Sequence, residues 1–231
     1  MKKSAIVLIF GILIGSSFVF TTGCKKDDTS GPAVTLSGDA SVIVSLNSSW
    51  VDPGATANDD VDGSVTVTSD ASSTNPNLNL TGVYVITYTA TDYAGNVGST
   101  TRTVTVKNDA ESYAGNYNVN DTTGGGSYLF TQTIKVDSAI NNRVHFSRFN
   151  NYANNTGIFA TRLPNGNLEI PNQTSGSIGA GGNPCNIANH TFSSSGGTNF
   201  WSFATGFVIA FSDLNQCNSS SQVFTQIYTK N

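Results

Sequence analysis

The run Gly82-Val83-Tyr84-Val85-Ile86-Thr87-Tyr88-Thr89-Ala90-Thr91-Asp92 decides the fold. From Tyr84 to Ala90 it alternates, and its residues are almost all β-branched or aromatic. A strand turns successive side chains to opposite faces, so a two-residue period of this kind marks a half-buried strand. Working outward, Arg102-Thr103-Val104-Thr105-Val106 repeats the pattern downstream. Upstream lie Val65-Thr66-Val67-Thr68 and Val42-Ile43-Val44-Ser45-Leu46. Asp62-Gly63 stands just before one of these runs, and Asp-Gly beside a strand pattern is a strong hairpin signal. Short strands separated by turn signals about every 8–12 residues predict a β-sandwich.

The rest of the composition agrees with an all-β protein. Ser, Thr, Asn and Gly are abundant, and only 11% of the 231 residues are charged. That composition suits strands and polar turns and disfavours helices. The length allows one or two domains. The net charge is −4, and removing Lys2 and Lys3 with a leader makes it more acidic. With no basic stripe, nucleic-acid binding is not expected. Between Ala33 and Lys107 the acids Asp39, Asp52, Asp59, Asp60, Asp62, Asp70 and Asp92 face only Arg102 and Lys107. From Glu111 onward the signs balance. The shift places a domain boundary near Asn108-Asp109-Ala110.

The first residues form a separate unit. Met1-Lys2-Lys3 is basic, Ala5 to Phe20 is almost wholly apolar, and Thr21-Thr22-Gly23-Cys24 ends the run. This is the layout of a secretory signal, and the apolar run is shorter than the ~20 residues of a membrane span. The order resembles a bacterial lipoprotein signal. The resemblance implies cleavage after residue 23, lipid on Cys24, and attachment to a membrane through two or three acyl chains, enough for stable anchoring. Residues 24–32, charged and then rich in Ser, Gly and Pro, read as a tether. The short charged run resembles the surface-export signals of Bacteroidota lipoproteins, although Lys25 and Lys26 depart from their acidic pattern. The expected location is the outer membrane, facing the cell surface. With Cys24 carrying lipid, Cys185 and Cys217 remain as a pair. An oxidising compartment favours a disulfide between them, with the alternative of two free thiols. Closing a loop of roughly 30 residues would contribute ~3–4 kcal/mol in the chain-entropy model.

Within 33–108 the runs Trp50-Val51-Asp52-Pro53-Gly54-Ala55, Asp59-Asp60-Val61-Asp62-Gly63, Gly82 to Asp92, Ala94-Gly95-Asn96 and Arg102 to Val106 occur in a familiar order. Together they resemble the immunoglobulin-like domain shared by some crystal toxins and many bacterial surface lipoproteins. That resemblance implies a non-catalytic spacer or adhesion module. Asp52, Asp59, Asp60, Asp62 and Asp92 can converge at one end of such a sandwich, where several carboxylates would suit calcium. Turn chemistry accounts for each Asp separately, and the spacing is not that of an EF-hand.

Residues 111–231 read as further strands: Tyr113–Val119, Tyr128–Val136, Arg143–Phe149, Gly157–Leu163, Asn167–Pro171, His190–Ser195, Phe207–Ser212 and Val223–Thr229. The long Asn-, Gly- and Ser-rich turns between them predict a meander closing into a small antiparallel barrel or a curled sheet. Tyr113-Ala114-Gly115-Asn116-Tyr117-Asn118-Val119 and Asn167 to Thr174 resemble a lipocalin-like domain of Bacteroidota lipoproteins, whose function is largely unassigned. Phe200, Trp201 and Tyr152 are the candidate ligand contacts, by stacking on sugar rings. Phe200, Trp201 and Phe203 equally suit core packing, the commoner fate of aromatics.

No catalytic constellation is expected. The histidines are His145 and His190, there is no Gly-x-Ser-x-Gly elbow, and Gly176–Gly182 lacks the Lys-Ser/Thr of a phosphate loop. Asp137-Ser138-Ala139 and Asp121-Thr122-Thr123 resemble the O-glycosylation triplets of Bacteroidota, or are plain turn residues. The expectation is a non-enzymatic, membrane-anchored surface lipoprotein that binds a glycan or protein ligand. The alternatives are a carrier of a small apolar ligand in the C-terminal domain and a structural envelope protein. No cofactor other than calcium is implied.

Overall fold

A computed structural model describes residues 27–123, 126–147, 149, 157–174, 190–194, 200–202, 206–215 and 220–231, with backbone only at 123, 174, 190–194, 200–202, 213–215 and 220–222. Cys24, Tyr152, Cys185 and Cys217 lie outside the described residues, and Phe200 and Trp201 are described as backbone. The described residues are strands and turns, apart from one short 3-10 turn. None of their helices is long and apolar enough to cross a membrane.

The first domain holds β1 (Ala33–Leu36), β2 (Ser41–Ser45), β3 (Ala55–Asp59), β4 (Gly63–Val65), β5 (Val67–Ser69), β6 (Gly82–Thr91) and β7 (Val97–Lys107). They form a three-stranded sheet, β1-β3-β4, and a four-stranded sheet, β2-β7-β6-β5. The alternating run Tyr84 to Ala90 lies in β6. It pairs antiparallel with β7 from Gly82↔Val106 to Thr91↔Val97, while β2 joins β7 in parallel. Alternation puts Ile86, Tyr88 and Val104 inside, where Val34, Leu36, Val44, Trp50, Ala55 and Val67 pack on them. The expected Val65–Thr68 strand divides at Thr66: β4 pairs with β3 in one sheet and β5 with β6 in the other. Strands β1 and β3 were not foreseen: Ala55-Thr56-Ala57-Asn58-Asp59 carries no large apolar residue, and Ala33-Val34-Thr35-Leu36 is only four residues long.

The tether is held against this sandwich. A Cβ added to Gly98 would lie 1.8 Å from the Pro32 carbonyl oxygen, so only glycine admits the crossing there.

The second domain starts with the 3-10 turn Glu111–Tyr113. It contains β8 (Gly115–Thr123), β9 (Gly126–Val136), β10 (Arg143–Phe146), β11 (Phe159–Arg162), β12 (Leu168–Glu169), β13 (Gln173–Thr174), β14 (His190–Ser194), β15 (Phe200–Ser202), β16 (Gly206–Asn215) and β17 (Ser220–Lys230). They make one ten-stranded sheet in the order β12-β11-β10-β9-β8-β17-β16-β14-β13, with β15 also on β16. Its pairs are all antiparallel, and the first long strand, β8, lies beside the last, β17. β12 and β13 occupy opposite ends of that order, yet only Ile170, Pro171 and Asn172 separate them in the chain. Ends joined so closely must meet in space, so the sheet rolls into a nearly closed barrel. Among the described residues Tyr117, Phe146, Phe207, Phe211 and Tyr228 pack its interior with Ile134, Val144, Ile158 and Ile209. The Phe207 and Tyr228 rings stack at 4.5 Å, and Phe149 meets Phe211 at 4.6 Å.

Asn108 joins the two domains. Its buried amide donates to the carbonyls of Asp137 (2.8 Å) and Ile140 (2.9 Å), and its oxygen accepts from the N–H groups of Ala110 (2.9 Å) and Asn142 (3.0 Å). Around it the Thr81 N–H donates to the Ser138 carbonyl (2.8 Å) and the Asn141 N–H to Asn47 Oδ1 (3.1 Å). The 137–142 loop of the second domain is thereby stitched to the end of the first.

Candidate functional site

The acidic residues sort into two places. Asp59 closes β3, and its carboxylate folds back over the following turn. Oδ1 accepts from the N–H groups of Val61 (2.9 Å) and Asp62 (3.0 Å), while the residue is 3% exposed. This is the local capping that makes Asp a turn former. Asp62 reaches across to the β6–β7 turn, where its Oδ2 accepts from the Tyr93 N–H at 2.8 Å. That turn is tied by Asp92, which accepts from the Asn96 N–H (2.7 Å) and the Asn96 side-chain amide (2.8 Å). Burial pushes the Asp92 carboxyl up, but the hydrogen bonds from Asn96, Gly95 and Ala94 outweigh it and hold the group below its ordinary value.

The same Asn96 amide donates to the backbone carbonyl of Asp28 at 3.2 Å, drawing the tether into the site. Asp28 Oδ1 in turn accepts from the Ser30 N–H at 3.1 Å. One carboxylate oxygen from each of Asp28, Asp59 and Asp62 lies within 4.8 Å of the others. Asp28 Oδ2 and Asp59 Oδ2 are buried and have no hydrogen-bond partner. Among the described residues no Lys, Arg or His forms an ion pair with these acids.

Asp52 belongs elsewhere. It pairs with Arg102, which is fully buried between the sheets, and accepts from the Tyr88 hydroxyl at 2.6 Å. Arg102 also donates to the carbonyls of Ser37 (2.7 Å), Asp39 (3.0 Å) and Gly54 (3.3 Å), so one guanidinium satisfies a whole set of loop oxygens. Burial, then the hydrogen bond to Asp52, pushes the Tyr88 hydroxyl up to about 12. Asp60 is exposed on the β3–β4 turn. Of the five acids singled out in the sequence, Asp59 and Asp62 come together, Asp92 braces the neighbouring turn, and Asp52 is committed to Arg102. The third member of the trio, Asp28, was missed because a charge run in a tether reads as solvated.

Several other polar groups have structural partners. His145 is half-exposed and bonds Asp137 at 2.8 Å. Burial raises the Asp137 carboxyl, but His145 and the N–H groups of Ala139 and Ile140 draw it below its ordinary value. Inside the barrel the Tyr228 hydroxyl donates to Gln226 Oε1 (2.7 Å), and the Gln226 amide to Asp121 Oδ2 (2.9 Å). On the first domain a groove of about 370 Å³ is lined by Trp50, Ser72, Asn75, Pro76 and Asn79, one aromatic among amides and hydroxyls.

An immunoglobulin-like sandwich followed by a barrel-shaped sheet makes the described chain an all-β tandem. Residues 34–106 match the family model of the bacterial surface protein, Ig-like domain. No curated protein matches the chain. Among solved structures, the chain is similar to the lipoprotein BT2262 from Bacteroides thetaiotaomicron, with a TM-score of 0.35 and 16% identity over 87% of this chain and 100% of that one. It is similar to a structure of unknown function from Bacteroides ovatus, with a TM-score of 0.27 and 13% identity over 87% and 93%. A third is CBM51-2, in complex with GlcNAc, and INT domains of Clostridium perfringens ZmpB, with a TM-score of 0.25 and 14% identity over 86% and 44%. These superpositions are loose, and no ligand or activity is transferred from them.

Proposed function

We propose that the chain is a non-catalytic lipoprotein of the outer membrane, anchored through Cys24 and facing the cell surface. The immunoglobulin-like domain is a spacer, and the barrel-shaped domain meets a glycan or protein ligand at the far end. The observation that carries this reading is the joint at Asn108. Interfaces between domains of one chain ordinarily permit relative motion. Here a buried amide with five backbone partners favours a stiff arm. A stiff arm suits presentation, since a preorganised surface loses less freedom on binding. The family match of residues 34–106 supports the placement on a bacterial surface. Among the described residues the interior of the second domain is a packed apolar cluster, which favours binding at its surface over an apolar carrier.

Cells bearing the full chain and cells lacking 111–231 would be compared for adhesion to surfaces coated with polysaccharides and matrix proteins. Adhesion by the full chain alone is expected. Equal adhesion by both would overturn the reading.

A further inference from the structure

The geometry points to a calcium site built by Asp28, Asp59 and Asp62, which clamps the tether onto the end of the sandwich. Turn chemistry and ion binding are compatible here, because each carboxylate has a second oxygen beyond the one bonded in the turn. Asp28 Oδ1, Asp59 Oδ1 and Asp62 Oδ2 each accept a backbone N–H, which orients the carboxylate. The second oxygens of Asp28 and Asp59 are buried without a donor. A buried acceptor with no partner is unfavourable, and three carboxylates brought together add mutual repulsion. A divalent cation relieves both at once.

The donor set is all oxygen, which excludes soft metals and suits a hard cation. Calcium ligands stand about 2.3–2.6 Å from the ion, so two on opposite sides are separated by roughly 4.6–5.2 Å. One oxygen from each of the three acids lies within 4.8 Å of the others, close enough for all three to reach one such ion. Magnesium demands a tighter octahedron, with ligands at about 2.0–2.1 Å. Three protein oxygens leave several positions for water, which suits the weak affinities of extracellular calcium modules, about 10⁻⁴–10⁻³ M. The ligands come from the tether, the end of β3 and the β3–β4 turn, and the Asn96 contact to the Asp28 carbonyl holds the tether in place beforehand. One consequence rests on the lipid-anchor reading. Asp28 is four residues from Cys24, a reach of at most ~14 Å, so the ion would hold the base of the sandwich close to the membrane.

The test uses the full chain purified in detergent, freed of metal with chelator, and titrated with calcium chloride by calorimetry. One ion per chain is expected, with a dissociation constant of about 10⁻⁵–10⁻³ M. The melting temperature of the first domain should rise by about 5–15 °C in 10 mM calcium over chelator. Asp28→Asn and Asp59→Asn should each weaken binding at least ~10-fold, since calcium affinity follows ligand charge. Both amides retain an oxygen for the turn hydrogen bonds. Asp60→Asn should bind as the wild type does. Should Asp59→Asn fail to fold, Asp28→Asn decides alone, because Asp28 lies outside both sheets. No saturable heat with unchanged melting, or full affinity in Asp28→Asn, overturns the proposal. Failure of the lipid-anchor reading would look different: the protein would fractionate away from membranes and still bind calcium.

Discussion

The side-chain amide of Gln173 hydrogen-bonds both backbone groups of Phe159, accepting from its N–H at 3.1 Å and donating to its carbonyl at 2.6 Å. Gln173 belongs to β13 and Phe159 to β11, near opposite ends of the ten-stranded order. One side chain therefore imitates a strand neighbour and closes the barrel where backbone pairing stops.

Gln173→Ala removes both bonds and takes these partners from the Phe159 N–H and carbonyl. Two hydrogen bonds at a net ~0.5–1.5 kcal/mol each predict a loss of about 1–3 kcal/mol in the second domain. Urea unfolding followed by a probe in that domain checks it. A midpoint equal to wild type would mean the seam is held by other contacts.

Asn108→Ala should weaken the joint between the domains. It strips donors from the carbonyls of Asp137 and Ile140 in a buried setting, at a cost of about 1–3 kcal/mol. Each domain keeps its own core, so the clearer effect is on rigidity. Small-angle scattering should show a broader distribution of interdomain distances for the variant.

Arg102→Met tests the interior of the sandwich. It leaves Asp52 and the Ser37, Asp39 and Gly54 carbonyls without their common donor. Breaking a buried ion pair from one side costs about 3–5 kcal/mol. The double variant with Asp52→Asn should recover part of this in a denaturation cycle, because no unpaired carboxylate remains.

Alkaline pH should unfold the protein through its tyrosines. Burial raises the Tyr88 and Tyr117 hydroxyls to about 12, and raises Tyr228 well above its ordinary value. A native-state value above the unfolded value of about 10 favours the protonated native form. The stabilisation is complete below pH ~10 and is lost as pH rises toward 12 and beyond. A melting temperature flat up to pH ~10 and falling above it, with cooperative appearance of tyrosinate absorbance, is the expected result.

Much of the fold was legible because its strands obey a two-residue period. Tyr84 to Ala90 and Arg102 to Val106 announce β6 and β7, and Val119, Phe130, Ile134 and Tyr228 mark inward faces of the barrel. What the period cannot give is long-range pairing. β3, with Ala57 as its buried apolar residue, becomes a strand only because β1 and β4 flank it. The closing role of Gln173 has no local signature, since Gln in a short polar run looks like any turn residue. The acidic site was half legible. Asp59 and Asp62 sit in one turn and were readable together, whereas Asp28 joins them from about 30 residues upstream through a tether whose composition argued for solvent. Asp52 was grouped with them by charge, and a single distant cation, Arg102, takes it away.

The proposed lipid-anchored module is displayed outside the cell. Its most direct test is the fraction of the protein removed from intact cells by an added protease, read with an antibody to the second domain. Most of the chain should be lost while periplasmic markers stay protected. Full protection until the outer membrane is opened would contradict it.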